Sequence, residues 1–406
     1  MKKNIVLVSQ LLVLLLVSCK KKHDEHVHIA NENELVRLFI SDREKSDLYF
    51  YNPHKDELET HYHPVSGIAS RIYTTSSGRY VCIINREKND VRFFDSGFEP
   101  HDDHAHKVGT PKFGRVVGST GLKPTHFKAH KNHIIVFNDD DGTISYFEED
   151  KIHTSTSPRI INTGQVKHHG ALDLFDDGKI AVTVKTTQNP VPGTLPEYVR
   201  IINNNGVVVY DTVIRTGGIH GSASNGNMVL FGCVEGVLRV NANGNQEIIS
   251  KPTYFGSRWM GTILYGKESS KFYGIARQFG VFEINPISKT ITPVDTASTF
   301  RMAIFDKEGH YIYSLHNNGN NGIIRKINGK TGSVLAEKTI NVGFPATGSA
   351  GMPQMVATKK FVYVADGING VLLMLDSDLN LVRTKTLPGK PNSMAFLGFD
   401  GEEHAH

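Results

Sequence analysis

The strongest constraint on the fold of this chain is a unit of about 40–50 residues that recurs along almost its whole length. In each unit, a small-residue or histidine-containing segment is followed by a Gly, Asn or Asp turn, an apolar strand, a second turn and another strand. Residues 132–147, 227–240 and 360–375 are the clearest copies. Because strand-forming residues and hairpin turns alternate evenly, and no amphipathic helix interrupts them, we predict an all-β protein.

The length of the unit is the blade length of β-propellers, and we predict a single propeller over residues 34–400. Eight blades are expected, with seven as the alternative. Two packed β-sandwiches would require a linker in mid-chain, and the sequence has none. Residues 393–399 have the pattern of one more strand, which would complete the first blade and close the ring. The predicted units are residues 34–65, 66–115, 122–164, 168–214, 217–250, 257–296, 299–342 and 350–390.

The N-terminal residues 1–18 have the pattern of a secretory signal, with a basic start and an apolar stretch too short for a membrane span. The stretch ends at a site that resembles the lipobox of bacterial lipoproteins, in which Cys19 would carry the acyl chains. An ordinary signal with a chance cysteine is the alternative. We therefore predict a lipid-anchored protein of the bacterial envelope, facing the periplasm or the cell surface. Residues 19–33 are expected to form a flexible tether, and residues 401–406 a frayed tail.

Charge and cysteine content exclude several classes of function. The net charge of +4 falls to about +2 once Lys2 and Lys3 are removed, which is too little for a nucleic-acid-binding face. Beyond Cys19, only Cys82 and Cys233 remain, and both are expected to be buried and unreactive, although a disulfide between them stays open. Two cysteines exclude a zinc site built mainly from thiolates. No phosphate-binding loop, dinucleotide fingerprint or hydrolase nucleophile elbow is present.

Histidines are numerous and clustered. The chain has 20 of them, and the densest groups lie near residue 25, at 101–106 and at the C-terminus, interleaved with Asp or Glu. Neutral imidazole is the commonest metal ligand in proteins, and such clusters can hold a divalent ion without thiolates. A solvated loop or linker without a metal is the alternative in each case. The loop offers His101, Asp103, His104 and His106, and the tether offers His23, His26 and His28 as a weaker set.

A further set of histidines opens the first strands of three consecutive units. His126, His169 and His220 are predicted to face the channel that the first strands line, where three imidazoles could hold one divalent ion. His126 and His220 share a register, eight residues before the next apolar strand, whereas His169 fits only with a longer hairpin loop. His168 joins the candidate ligands, although it points the other way if the segment is extended. Hydrogen-bonded channel histidines without metal are the alternative, and the loop at 101–106 could share one ion with His126.

Several of these stretches resemble the periplasmic β-propeller zinc metallochaperones of the AztD type. The resemblance is carried by residues 124–127, 168–171, 219–223 and 229–238 and by the loop at 101–106. It implies a propeller that binds zinc in the envelope and passes it to the solute-binding protein of a zinc ABC importer. A lipid anchor would be a departure from a freely diffusing chaperone. The ligands implied position by position, in one site or two, are His101, Asp103, His104, His106, His126, His169 and His220.

These observations predict a monomeric zinc-binding envelope protein without catalysis. Cu²⁺ is not excluded, because His and Asp sites bind it at least as tightly as zinc. The alternatives are a metal-dependent propeller hydrolase or lactonase and a surface scaffold lipoprotein, since one fold serves many functions. A closed four-ligand site would favour storage or transfer, and three ligands with a water would favour catalysis. Residues 138–142 resemble a calcium loop but lack its ligand spacing, so we predict a hairpin turn there.

Overall fold

The computed structural model describes residues 35–63, 67–101, 105–115, 121–186, 194–319 and 321–399. In these ranges the chain forms 34 β-strands with a few short 3-10 turns and no α-helix, which confirms the all-β prediction. No helix in this part of the chain is long and apolar enough to cross a bilayer. The predicted signal segment, Cys19, the tether and the C-terminal tail lie outside the described residues.

The strands form eight four-stranded antiparallel sheets, which are the blades of a propeller, and one additional two-stranded hairpin. The prediction of eight blades is confirmed. Blade 1 contains β1 (Arg37–Asp42), β2 (Leu48–Asn52), β3 (Glu57–Tyr62) and the last strand of the chain, β34 (Pro391–Leu397); blade 2 contains β4 (Arg71–Thr74), β5 (Tyr80–Asn85), β6 (Asp90–Asp95) and β9 (Lys112–Phe113), and the additional hairpin of β7 (Phe98–Pro100) and β8 (Ala105–Lys107) lies between β6 and β9 in the chain. Blade 3 contains β10 (Pro124–His130), β11 (His133–Asn138), β12 (Thr143–Glu148) and β13 (Arg159–Asn162); blade 4 contains β14 (Leu172–Leu174), β15 (Ile180–Val184), β16 (Tyr198–Ile202) and β17 (Val208–Tyr210); blade 5 contains β18 (Ile219–Ser224), β19 (Met228–Cys233), β20 (Gly236–Asn241) and β21 (Gln246–Ser250). Blade 6 contains β22 (Thr262–Gly266), β23 (Lys271–Ala276), β24 (Gly280–Asn285) and β25 (Thr290–Thr296); blade 7 contains β26 (Phe300–Phe305), β27 (Tyr311–Asn317), β28 (Gly322–Asn328) and β29 (Val334–Ile340); blade 8 contains β30 (Gln354–Ala357), β31 (Phe361–Asp366), β32 (Val371–Asp376) and β33 (Leu381–Thr386).

The ring is closed by the two ends of the chain, as the sequence predicted. β34 pairs antiparallel with β1, with Leu38 opposite Phe396 and Ile40 opposite Met394, and becomes the innermost strand of blade 1. The innermost strands of neighbouring blades contact one another around the channel. Each innermost strand is still an edge strand of its own sheet, but the ring encloses these short edges and protects them from pairing with another chain.

The apolar core lies between the faces of adjacent blades. Phe39 of blade 1 packs on Phe94 of blade 2 with ring centroids 4.6 Å apart, and similar clusters fill the other gaps. Strand residues alternate between the two faces of a blade, so each blade contributes apolar side chains to two such layers. Cys82 and Cys233 are free thiols in the cores of different blades, and burial raises the pKa of both. They are inert core residues.

The direction of the strands defines two faces of the ring. We count the four strands of a blade from the channel outward. The upper face carries the start of the innermost strand and the turn between the second and third strands. The lower face carries the turn between the first and second strands and the connection between the third and fourth. The β7–β8 hairpin is inserted after the third strand of blade 2, so it lies at the lower face. There, Phe98 and Ala105 of the hairpin pack against Leu35 and Phe399. Both ends of the propeller chain therefore lie at the lower face.

Candidate metal centre

Three imidazoles from consecutive blades come together at the upper mouth of the channel; we call His126, His169 and His220 the channel cluster. One nitrogen of each ring lies within 4.8 Å of the others, and Nε2 of His126 is 3.2 Å from Nε2 of His169. The ring centroids are 4.5, 5.1 and 5.6 Å apart. The structure thus brings together side chains that are separated by more than forty residues in sequence.

Two of these histidines are directed into the channel by β-bulges. The pairing of β10 with β11 shifts between Pro124 and His126, and that of β18 with β19 shifts between His220 and Ser222. A bulge bends a strand and changes the direction of its side chains. His126 lies opposite Phe137, and His220 lies opposite Gly232, each the second-last residue of its facing strand. Their shared register is the one that the sequence indicated.

Glycine is required where blades 5 and 6 meet behind His220. A Cβ atom at Gly232 would lie only 1.9 Å from the backbone oxygen of Met260. The close approach places the next backbone oxygen, that of Gly261, 2.6 Å from Nδ1 of His220. Gly221, in the bulge, has a φ of +66°, which L side chains rarely adopt. These glycines allow the backbone to hold the His220 ring in one orientation.

His169 is positioned by an aspartate instead of by strand pairing. It precedes β14 and does not open that strand, so the sequence expectation that it begins a first strand is corrected. Its Nδ1 donates to Oδ2 of Asp139, at 2.8 Å, and Arg86 lies 3.3 Å from the same oxygen. Burial alone would raise the pKa of Asp139, but the hydrogen bond and charge of His169 outweigh it, and the pKa is lowered. Asp139 belongs to the turn at 138–142, and the sequence interpretation gave it no role in the site.

These hydrogen bonds determine which ring nitrogens can bind a metal. A carboxylate and a backbone carbonyl only accept hydrogen bonds, so Nδ1 carries the proton in His169 and in His220. Their Nε2 atoms are therefore left with free lone pairs. Two ligands of a tetrahedral zinc ion at 2.0–2.1 Å lie about 3.3 Å apart. The separation of 3.2 Å between the Nε2 atoms of His126 and His169 matches that requirement.

The surroundings of His126 and His220 favour the neutral imidazole, which is the state that binds metal. The pKa of His126 is lowered to about 3, chiefly because burial disfavours the charged ring and also because His169 repels it. Burial likewise lowers the pKa of His220.

Two residues beyond His126 along β10, Lys128 forms an ion pair with Asp173, at 2.8 Å. The ammonium group therefore lies on the channel wall toward the lower face, below the channel cluster.

The remaining histidines predicted as ligands lie elsewhere. His168 is only 6% exposed, and its two ring nitrogens contact the oxygens of Val166 and Thr183, at 2.8 and 3.2 Å. It points away from the channel cluster and serves the packing of blade 4. The tether histidines His23, His26 and His28 lie outside the described residues.

The described histidines of the 101–106 loop, His101 and His106, lie at the other mouth of the channel. His101 follows β7 and His106 belongs to β8, so both are part of the hairpin at the lower face, and their ring centroids are 5.1 Å apart. His101 lines a cavity of about 1300 Å³ there, together with His310 and the tips of blades 6, 7 and 8. The expectation that this loop shares an ion with His126 is therefore wrong, because the two lie at opposite ends of the channel. Asp103 and His104 are outside the described residues.

The sequence comparison and the structure comparison both find the zinc chaperone AztD. No protein-family model matches the chain. The zinc chaperone AztD of Citrobacter koseri is 22% identical over 384 residues, which covers 91% of this chain and 88% of that protein. Two solved structures of AztD from this organism, one described as apo, superpose with TM-scores of 0.79 and 0.78 at 19% and 20% identity, covering 91% of this chain and 99% and 100% of theirs. The dihydro-heme d1 dehydrogenase NirN has a TM-score of 0.60 at 13% identity over 91% of this chain and 76% of its own.

Proposed function

Because this chain is AztD-like in sequence and fold over 91% of its length, we propose that it is a zinc chaperone. The cargo ion is held at the upper mouth of the channel by the Nε2 atoms of the channel cluster. The observation that carries this proposal is the convergence of three imidazoles, with one nitrogen of each within 4.8 Å of the others, on a position where two of them already have the spacing of zinc ligands.

Residues behind the ligands fix their orientation. Asp139 holds His169, and the carbonyl of Gly261 holds His220, so the rings are already directed before the ion arrives. In the metal-free protein, Nε2–H of His126 donates to Nε2 of His169. When the ion binds, the His126 ring gives up that proton and takes one up at Nδ1 by exchange with water, so the imidazole stays neutral and its Nε2 lone pair faces the ion. Binding therefore requires little reorganisation of the site.

Release of the ion uses the position that the protein leaves open. Three imidazoles occupy three corners of a tetrahedral zinc ion, and the fourth remains for water or an incoming ligand. An acceptor that docks at the upper face can insert a ligand there before any imidazole leaves. We infer that the acceptor is the solute-binding protein of a zinc ABC importer and that the cargo leaves by the upper mouth.

The envelope setting is part of the proposal. Acylation at Cys19 would anchor the chain, and residues 19–33 would carry His23, His26 and His28 as a weak capture arm. His101, Asp103, His104 and His106 would form a second capture element at the lower face. A Cys19→Ser variant should leave the membrane fraction and fail to incorporate labelled palmitate; incorporation by that variant would contradict the anchor.

The test of cargo binding is a zinc titration in competition with a chromophoric chelator. The full mature protein, without a purification tag, is compared with His126→Ala/His169→Ala/His220→Ala. His130→Ala is a matched control, because His130 is a β10 histidine that pairs with a single carboxylate, Asp176, at 2.7 Å. Loss of the tightest-bound ion only in the triple variant supports the proposal. Equal affinity in all three proteins would overturn it.

Transfer is tested separately by mixing the zinc-loaded protein with a metal-free solute-binding protein and following zinc by size-exclusion chromatography. Transfer faster than spontaneous loss of zinc to a chelator supports direct handover. A transfer rate equal to that loss would show that the acceptor receives only free zinc, and the handover proposal would fail.

The open coordination position also favours a second candidate, a metal-dependent hydrolase or lactonase. A zinc-bound water at this position would have its pKa lowered toward neutrality. Asp139, the carboxylate nearest the cluster in the described part of the chain, is already engaged by His169 and Arg86, which leaves it poorly suited to act as a general base. Zinc-dependent hydrolysis of lactones or esters, lost in the triple variant, would favour the enzyme over the chaperone.

A further inference from the structure

A second group of metal-binding side chains lies far from the channel axis, at the outer edge of blade 1. Asp47, His61 and His63, which we call the rim cluster, have ligand atoms within 4.8 Å of one another. Oδ1 of Asp47 is 2.7 Å from Nδ1 of His63, and Oδ2 is 3.1 Å from Nε2 of His61. The two imidazole rings have centroids 4.3 Å apart. One carboxylate thus bridges two imidazoles.

The pairing of β2 with β3 creates this arrangement. His61 and His63 are two residues apart along an extended segment, so their side chains lie on the same face. Leu48 pairs with Tyr62, and continuation of that register places Asp47 opposite His63. Asp47 precedes β2 and lies in the turn between the second and third strands of blade 1. The equivalent turn of blade 3 contains Asp139. The rim cluster therefore lies on the upper face, as the channel cluster does.

The surroundings of Asp47 distinguish the rim cluster from three other covered histidine–aspartate contacts. Its side chain is only 10% exposed, because the two imidazole rings cover it. In the described residues, its ion-pair partners are His61 and His63 alone. By contrast, the covered carboxylates of Asp95, Asp139 and Asp295 each pair with an arginine as well as a histidine. A covered carboxylate that has no permanently charged side chain beside it favours the binding of a cation.

We propose that the rim cluster is a second binding site for a divalent transition-metal ion of the zinc class, independent of the channel cluster. The proposal goes beyond the chaperone function and does not rest on it. Two imidazoles and one carboxylate suit zinc or copper, whereas magnesium and calcium prefer oxygen ligands alone. The ion replaces the two hydrogen bonds of Asp47, and each neutral imidazole carries its proton on the nitrogen that faces outward.

The geometry makes the rim cluster an exchanging site. The side chain of His63 is 68% exposed, so water and other ligands reach the ion directly. With three protein ligands, at least one coordination position stays open. In the described residues, the only hydrogen bonds to the rings of His61 and His63 come from Asp47, and the ion replaces them. No other hydrogen bond then keeps the two rings in place behind the ion. The rim ion is therefore held more weakly, and exchanges faster, than the channel ion.

The first experiment locates zinc directly in the full mature protein. Crystals soaked with zinc chloride are measured at the zinc absorption edge. An anomalous peak about 2.0–2.1 Å from Asp47, His61 and His63 is the expected result. A zinc-loaded channel with no peak at the rim under saturating zinc would overturn the proposal. Because the protein is unaltered, misfolding of a variant cannot account for either result.

The second experiment counts ions in solution by equilibrium dialysis at fixed free zinc, followed by elemental analysis. His61→Ala/His63→Ala should retain about one ion fewer per chain than the wild-type protein, and His130→Ala should retain the same number. The channel triple variant should lose a different ion, and combining the two sets should give additive losses. Loss from the channel variant alone would reject the rim site and leave the chaperone proposal intact. Loss from the rim variant alone would support the rim site and contradict the channel site of the chaperone proposal.

Discussion

The channel cluster and the rim cluster use similar donor atoms but hold them in different ways. In the channel, Asp139 stands behind the ligands and orients His169, while a backbone carbonyl orients His220. At the rim, the carboxylate of Asp47 is itself the proposed ligand, and the hydrogen bonds that hold the two imidazoles come from it. The difference is between donors fixed in advance by their neighbours and donors that the ion must organise. The first arrangement favours retention, and the second favours exchange.

The largest difference should come from removing one channel ligand. We expect His169→Ala to lower the affinity for the tightest-bound zinc by more than about 100-fold, since a lost ligand exceeds the 10–100-fold effect of a lost outer partner. His61→Ala/His63→Ala should leave that affinity within about twofold, because the clusters share no residue. Competition with a chromophoric chelator measures both. Similar losses in the two variants would mean that the clusters are not separate sites.

The next effect concerns the residue behind the ligands. Asp139→Asn keeps the shape of the side chain but removes the charge that holds Nδ1–H of His169. We expect zinc affinity at the channel to fall about 10–100-fold without loss of an ion at saturation. Asp140→Asn, at the exposed neighbouring position, is the matched control and should have no effect. If both variants behave like the wild-type protein, Asp139 does not orient the site.

A backbone change should affect the channel and spare the rim. A Cβ at Gly232 would collide with the Met260 carbonyl and displace the oxygen that holds His220. Gly232→Ala should therefore lower the free energy of unfolding by about 1–3 kcal/mol, as overpacking does, and weaken channel zinc. Gly109→Ala, where a Cβ meets nothing within 4 Å, should change neither quantity. Urea denaturation and zinc titration of both variants provide the comparison, and unchanged stability of Gly232→Ala would contradict it.

The smallest expected effect is a dependence on pH. Because the pKa of folded His126 is lowered to about 3, the ring takes up a proton below pH 6.5 only when the chain unfolds. The unfolded state then binds more protons, so the free energy of unfolding of the metal-free protein falls with falling pH, by up to about 1.4 kcal/mol per unit. His126→Gln should make that decline shallower between pH 6.5 and 5.5 in urea denaturation. Parallel curves for the two proteins would refute this assignment.

Much of the fold could be predicted from the sequence because its signals are local. Each blade is a run of short strands joined by turn residues, and the spare strand at 393–399 was recognisable by the same pattern. The shared register of His126 and His220 followed from counting residues between strands. His169 departs from it because β14 is short and the chain before it is fixed by Asp139 instead of by strand pairing.

The rest of the site depends on contacts between blades or on register, which residue spacing alone does not give. The turn containing Asp139 looks like any Asp-rich turn until blade 4 brings His169 beside it. Asp47 and His61 become neighbours only through the pairing of β2 with β3, although the spacing of His61 and His63 was a usable signal. The sequence could not show which face of the propeller carries the 101–106 loop. The answer depends on the insertion of this loop within blade 2, before its last strand, and not between two blades.

The closure of blade 1 by both chain ends also determines which way the molecule faces. Leu35 and Phe399 meet at the β7–β8 hairpin on the lower face, whereas the channel and rim clusters lie on the upper face. Anything attached through residues before 35 or after 399 is therefore joined to the side opposite both clusters. A propeller held at a surface by either terminus would turn the side that carries both clusters outward, where a partner approaching from solution meets the imidazoles without passing the attachment.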